Sequence, residues 1–164
     1  MVLSHRAERE GKLLTFLRGE LALSSGLVKR LKWQNAFFLD GVPVHTDARV
    51  LPGQKITVKI EEAPEGFLPQ TLPIDILYED ESLIALDKPA GQLVHPSPRK
   101  NDGTLANALL GYYAETNQPC GIHPVTRLDR DTFGVVLLAK NAHAHALLIA
   151  AEKHKTYHAA VRGV

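Results

Sequence analysis

Apolar and polar positions along the chain alternate between two periods, and the switches between them divide the sequence into short elements. Leu13, Leu14 and the run from Phe16 to Leu21 predict a helix. Ser24 and Ser25 then offer hydroxyls to the free N–H groups of a second helix that runs to Lys32. Beyond it, Ala36 to Leu39 and Val42 to Val44 are apolar runs separated by Asp40-Gly41. Both of these turn residues tolerate positive φ, so the segment predicts a hairpin, with Pro43 putting its second strand at an edge. Val50-Leu-Pro-Gly53 predicts another turn, and the alternation from Lys55 to Ile60 a strand.

A second series follows after a break. Ile76–Tyr78 and Leu83–Leu86 read as strands around an acidic turn, Glu79-Asp80-Glu81. Asp87 to Gly91 is a turn, followed by the short apolar run Leu93-Val94. Thr104 to Glu115 reads as a helix with Leu105, Leu109, Leu110 and Tyr113 to bury. The continuous apolar run Gly134 to Ala139 predicts a buried strand, Asn141 the cap of a helix to about Lys153, and the alternation from Thr156 to Val161 a last strand.

The break itself carries Pro64, Gly66, Pro69 and Pro73, a density that suits a linker. The expected organisation is therefore α+β: a small unit over 1–62, a linker over 63–73 and a mixed, mainly antiparallel sheet unit over 74–164. A length of 164 residues suits one average domain or two small ones. With 45% hydrophobic and 23% charged residues, long disordered tracts are not expected. The lone Cys120 excludes an internal disulfide and points to a reducing compartment. The N-terminus lacks the pattern of a secretory signal, and no apolar run approaches the ~20 residues of a membrane helix, so a soluble, cytoplasmic protein is expected. Net charge is only +1, but Lys29, Arg30 and Lys32 cluster on the second helix. Such a cluster is a solvated helix face or a set of phosphate contacts.

The chemically dense stretch is Gly121 to Lys140, which runs from polar and charged residues straight into an apolar strand. Charges there must face solvent, pair or serve a function. Asp129 stands between Arg127 and Arg130, with Asp131 two positions on. A carboxylate beside two guanidinium groups is expected to stay ionised. Such a group can attack an electron-poor sugar carbon or stabilise charge building there. Charge pattern alone equally describes an ion-pair network that orders a loop.

Arg127-Leu-Asp-Arg-Asp-Thr-Phe-Gly134 and the strand after it resemble the catalytic motif of the RluA-type RNA pseudouridine synthases. Three further pieces agree in kind and order: "ILYEDESLIALDKPAGQLVHP", the helix "DGTLANALLGYY" and "KTYHAAVRG". The order of elements over residues 10 to 61, with its basic second helix and "DGVPV" hairpin, resembles the S4 RNA-binding domain. The resemblance implies an isomerase that converts uridine to pseudouridine in structured RNA, ribosomal or transfer, without a cofactor or a membrane. It implies Asp129 as the catalytic aspartate and Arg127 as a hold on the target nucleotide. Tyr157 would stack on the base, with Lys155 in a supporting role. Ser25, Lys29, Arg30 and Lys32 would contact RNA. A monomer is expected. Two positions depart from the motif: Thr126 stands where the family has His, and Phe133 where it commonly has Ser. The family's catalytic domain continues beyond the tyrosine motif, so the chain reads as its front part, with an exposed edge at 156–161.

Two other readings compete. One is a non-catalytic RNA-binding fragment. The other is a metal-dependent hydrolase using His123 with Asp129 and Asp131, which no established ligand motif supports.

Overall fold

The computed structural model describes residues 1–63 and 65–163. The first part contains β1 (Val2–Arg6), β2 (Gly11–Lys12), α1 (Leu13–Arg18), α2 (Ser25–Lys32), β3 (Phe37–Leu39), β4 (Val42–Pro43), β5 (Arg49–Val50) and β6 (Lys55–Lys59). Four of the strands form an antiparallel sheet in the order β1-β6-β3-β4, and β2 pairs with β5. The two helices cover a core that includes Leu13, Phe16, Leu17, Leu27, Leu31, Phe37, Ile56 and Val58.

Local chemistry sets these elements. Ser24 caps α2 by accepting the Leu27 N–H at 3.2 Å. Asp40 and Gly41 turn the hairpin with φ of +48° and +84°, and Pro43 lies on the edge strand, where no partner asks for its missing N–H.

Strand β1 was not anticipated. Its inner positions are Leu3 and His5, and the His5 ring packs 6.1 Å from that of Phe16. A histidine on the inner face hides the alternation, and pairing with β6 across five positions supplies the stability instead.

The second part contains β7 (Asp75–Glu79), β8 (Leu83–Lys88), α3 (Leu105–Glu115), β9 (His123–Pro124), β10 (Gly134–Ala139) and α4 (Ala142–Ala150). Its antiparallel sheet runs β7-β8-β10-β9. Helix α3 packs Leu105, Leu109 and Tyr113 onto Ile84, Leu86, Val136 and Leu138. Thr104 and Asn107 close a capping box at its start.

Three expectations are corrected. Residues 156–161 form no strand; they are exposed and irregular. Alternation makes a strand only when a neighbour takes its N–H and C=O groups, and none of the described residues does so. Helix α4 stops at Ala150, where Ala151 turns to extended backbone with φ of −71° and ψ of 146°, and the Lys153 ammonium folds back onto the carbonyls of Leu148, Ile149 and Ala151 at 2.6, 3.1 and 2.7 Å. In β10, Val135 is exposed, so the apolar run is not buried throughout.

Residues 65–73 have neither helix nor strand, yet part of this stretch is packed down. Gln70 N–H donates to the Asn107 carbonyl at 3.0 Å, and an added Cβ on Gly111 would lie 2.3 Å from the Gln70 carbonyl oxygen. Glu62 bonds forward to the second sheet unit, accepting from the Ala142 N–H at 3.1 Å and contacting His123 Nε2 at 3.0 Å. Burial, the largest single influence, raises the Glu62 carboxyl. The contacts to His123 and Ala142 outweigh it and hold the group below the usual range.

Candidate active site

The loop between β9 and β10 carries the charged motif, and hydrogen bonds fix its base. At its base, the N–H groups of Val125 and Thr126 donate to the Leu137 carbonyl at 2.8 and 3.1 Å. Thr126 Oγ1 accepts the Leu137 N–H at 2.9 Å in return. Thr126 is thus a staple of the loop. At the far end, Gly134 enters β10 with φ of +117°, a conformation that favours glycine.

The tip is held from below by a lysine that sequence reasoning passed over. Lys88 is 0% exposed. Its ammonium donates to the carbonyls of Pro89, Gln92 and Arg130 at 2.9, 2.9 and 3.0 Å. These three bonds use all the donors an ammonium has. The Arg130 carbonyl also accepts the Gly91 N–H at 2.8 Å, so the Lys-Pro-Ala-Gly turn and the charged loop are one bonded unit. Burial, the largest influence, lowers the Lys88 ammonium below its ordinary range; the carboxylates of Asp131 and Asp129 act in the opposite sense. A usable signal was present. Ile84, Leu86 and Lys88 share the inward phase of β8, so alternation alone aims this lysine at the core.

Leu128 packs against the second core, while Arg127 and Asp129 on either side of it are exposed. The expected sandwich of Asp129 between two arginines does not form. Arg130 makes a two-pronged pair with Asp131, Nε to Oδ1 and Nη2 to Oδ2, both at 3.0 Å. The planar guanidinium fork matches the adjacent carboxylate. That pair holds the Asp131 carboxyl below its usual range and raises the guanidinium. Asp129 accepts no side-chain hydrogen bond from the described residues, and its carbonyl receives the Thr132 N–H at 3.2 Å. Its carboxylate is exposed on a pinned loop.

Tyr157 and Lys155 are not brought to this loop. Both are exposed on the irregular segment after α4, with Tyr157 62% exposed, and no hydrogen bond among the described residues links them to residues 127–131.

On α2, Lys29 and Lys32 face solvent one turn apart, with Trp33 83% exposed beside them. Ser25 is the first residue of the helix, and its hydroxyl takes the Arg18 Nη1 donor at 2.5 Å. Arg30 departs from the expected basic face. It is half-buried, its Nε and Nη2 are buried without hydrogen-bond partners among the described residues, and its charge acts on Glu62.

His123 bonds to Glu62 and not to Asp129 or Asp131, and its ring lies 5.6 Å from that of His145. No three His, Cys, Asp or Glu side chains among the described residues gather as a metal site. The ligand set of the hydrolase reading is therefore not assembled. No helix among them is long and apolar enough to cross a membrane.

Residues 82–163 match the family model described as RNA pseudouridylate synthase. The chain belongs to that family. An uncharacterized RNA pseudouridine synthase of Aquifex aeolicus is 36% identical over 155 residues, covering 90% of this chain and 49% of its own length. One of Bacillus subtilis is 34% identical over 152 residues, covering 88% of this chain and 54% of its own. The ribosomal large subunit pseudouridine synthase D of Pseudomonas aeruginosa is 40% identical over 115 residues, 68% of this chain and 35% of that one. The chain thus spans about half the length of the first two relatives and about a third of the last. Among solved structures, human RNA pseudouridylate synthase domain containing 4 aligns at 25% identity with a TM-score of 0.36, over 45% of this chain and 27% of that one.

Proposed function

We propose that this chain belongs to a cytoplasmic enzyme that isomerises uridine to pseudouridine in ribosomal or transfer RNA, with Asp129 as its catalytic carboxylate. The observation that carries this reading is an open carboxylate on a loop held by a fully buried lysine. Charged groups are costly to order in this way, and a preorganised carboxylate suits a reaction at a sugar carbon. In the reaction the N1–C1′ bond of uridine breaks, the uracil turns in place and C5 bonds to C1′. The hydrogen on C5 then leaves to solvent and N1 gains one, so the change is redox-neutral and consumes no co-substrate. Asp129 acts on the sugar carbon or moves the proton, and Arg127 on the same loop holds the nucleotide's phosphate.

The target base must leave its stack to reach such a loop. Tyr157 supplies a face for it and Lys155 a cation once the segment after α4 folds over the loop. Residues 1–62 act as an S4-like RNA-binding unit, joined by 63–73 to the catalytic unit that starts at 74. Lys29 and Lys32 lead its phosphate contacts, with Ser25 near the helix start, while Arg30, half-buried toward Glu62, supports the helix from behind. The protein works as a monomer.

RNA labelled with tritium at uridine C5 tests the reaction, because closing the C5–C1′ bond expels that hydrogen. Release of tritium to water supports the reading; RNA that binds the chain yet keeps its label counts against it. The second reading, a unit that binds RNA without modifying it, draws on the separation of Tyr157 from the loop. It predicts that second outcome.

A further inference from the structure

A cavity of about 660 Å³ opens between residues 66–70 and the loop 99–102. Its lining includes Phe67, Arg99, Lys100, Asn101, Asp102 and Asn107.

The walls are held together from beneath by one side chain. Asn107 is 1% exposed, and its amide donates to the Leu68 carbonyl at 2.8 Å and the Asn101 carbonyl at 3.2 Å, one on each wall. Gln70 Oε1 adds a second tie, accepting the Gly103 N–H at 2.6 Å. The cationic loop is closed on itself by paired bonds between Ser97 and Lys100, at 2.8 and 3.0 Å. The shape is therefore preorganised, which lowers the ordering cost of binding.

Arg99 and Lys100 pair with no carboxylate among the described residues. Lys100 folds its ammonium over Gly103, 3.9 Å from where a Cβ would stand. Phe67 brings an aromatic ring set edge-on against His95, with centroids 5.1 Å apart. The first N–H groups of α3 are taken by the Leu93 and Val94 carbonyls and by Thr104, so anion binding rests on the two side chains. Two free cations beside an aromatic ring suit a single-stranded nucleic acid, whose phosphates and bases want those groups in turn.

A chain of hydrogen bonds connects the groove's surroundings to the Asp129 loop. Gln92 accepts from Lys88 Nζ through its carbonyl and donates through Nε2 to the Gly103 carbonyl at 3.3 Å. One residue thus touches both the lysine that pins the loop and Gly103, the residue that follows the groove's loop 99–102.

We infer that this groove binds the RNA strand two or more nucleotides from the target uridine, with Arg99 and Lys100 on its phosphates and Phe67 against a base. The assignment rests on the RNA reading above.

The test compares two single-stranded RNAs, a trimer and a nonamer, each with one central uridine, binding to the full chain over a series of salt concentrations. The chain is expected to bind the nonamer more tightly. Arg99→Ala with Lys100→Ala should weaken the nonamer roughly ten-fold and lower its salt slope by about 1.4, at about 0.7 per phosphate contact on a single strand. The same pair should leave the trimer nearly unchanged. Asp102→Asn should tighten the nonamer about two-fold by removing the opposing charge, an effect of the opposite sign to any folding defect. Unchanged nonamer binding in the double variant, while Lys29→Ala with Lys32→Ala still weakens it, would overturn the groove and leave the RNA reading standing. No binding of either RNA by the unmodified chain would overturn both.

Discussion

Replacing Lys88 with methionine keeps much of its length while removing the ammonium that joins β8 to the charged loop. Three carbonyls lose a charged donor at 2.9, 2.9 and 3.0 Å. Pro89 and Gln92 are near in sequence, whereas Arg130 lies 42 residues away, so its bond is the one that ties the loop down. A hydrogen bond to a charged group contributes about 1.5–3 kcal/mol, and a buried carbonyl left without a partner costs about 1–3 kcal/mol. Against these stands the cost of burying an ammonium, which methionine does not incur. Arg130 also keeps its bond from the Gly91 N–H. The net loss is about 2 kcal/mol, most of it falling on local opening of residues 127–131. Limited trypsin digestion reads that opening, since Arg127 and Arg130 are exposed cleavage sites in the loop. When opening is fast relative to cleavage, about 2 kcal/mol corresponds to roughly a thirty-fold faster cut. Cleavage at Arg127 and Arg130 as slow in Lys88→Met as in the parent chain would refute the role given to this lysine.

Other perturbations have defined outcomes. Gly111→Ala would place a Cβ 2.3 Å from the Gln70 carbonyl oxygen, so it should cost about 2–3 kcal/mol by displacing the docked 66–70 segment, read as a lower thermal midpoint. Glu79 is raised by burial, its largest single influence, but hydrogen bonds from Lys140, Tyr112 and Gln118 together pull it below the usual carboxylate range. With a folded value below the unfolded one, its stabilisation is present above the unfolded value and disappears as pH falls through the folded value. Glu79→Gln should therefore flatten the acid side of a denaturation-midpoint curve measured from pH 7 to pH 3. Lys29→Ala with Lys32→Ala should reduce the salt dependence of RNA binding by about 1.4–1.8, at roughly 0.7–0.9 per phosphate contact; an unchanged slope would remove α2 from the interface.

Features governed by neighbours in sequence were legible in advance. The Ser24 and Asn141 caps, the Asp40-Gly41 hairpin and the helix from Thr104 each depend on a few adjacent residues, and each is where the pattern puts it. Features that depend on distant partners were not. Strand β1 exists through β6, more than forty residues away, and its inward histidine masks the period. The alternation at 156–161 suggested a strand, but no described residue pairs with it. The sequence sets Asp129 between two guanidinium groups, whereas Arg130 pairs with the carboxylate next to it, within reach of its fork. Arg30 looked like one of three equivalent cations, yet the turn of α2 rotates it toward Glu62 and away from Lys29 and Lys32. The sequence put Asp129 in a charged stretch just before an apolar strand, and the residue is exposed there. The buried lysine beneath it needed the register of β8.

The central claim is that the Asp129 carboxylate carries out the isomerisation. It is tested most directly by incubating the chain and its Asp129→Asn variant with RNA lacking the modification, then separating and quantifying uridine and pseudouridine after digestion. RNA affinity is measured alongside. Asparagine keeps the shape and removes the charge, so the account predicts pseudouridine from the parent chain, none from the variant, and nearly equal affinity for RNA. Pseudouridine formed by Asp129→Asn at the parent rate would contradict it.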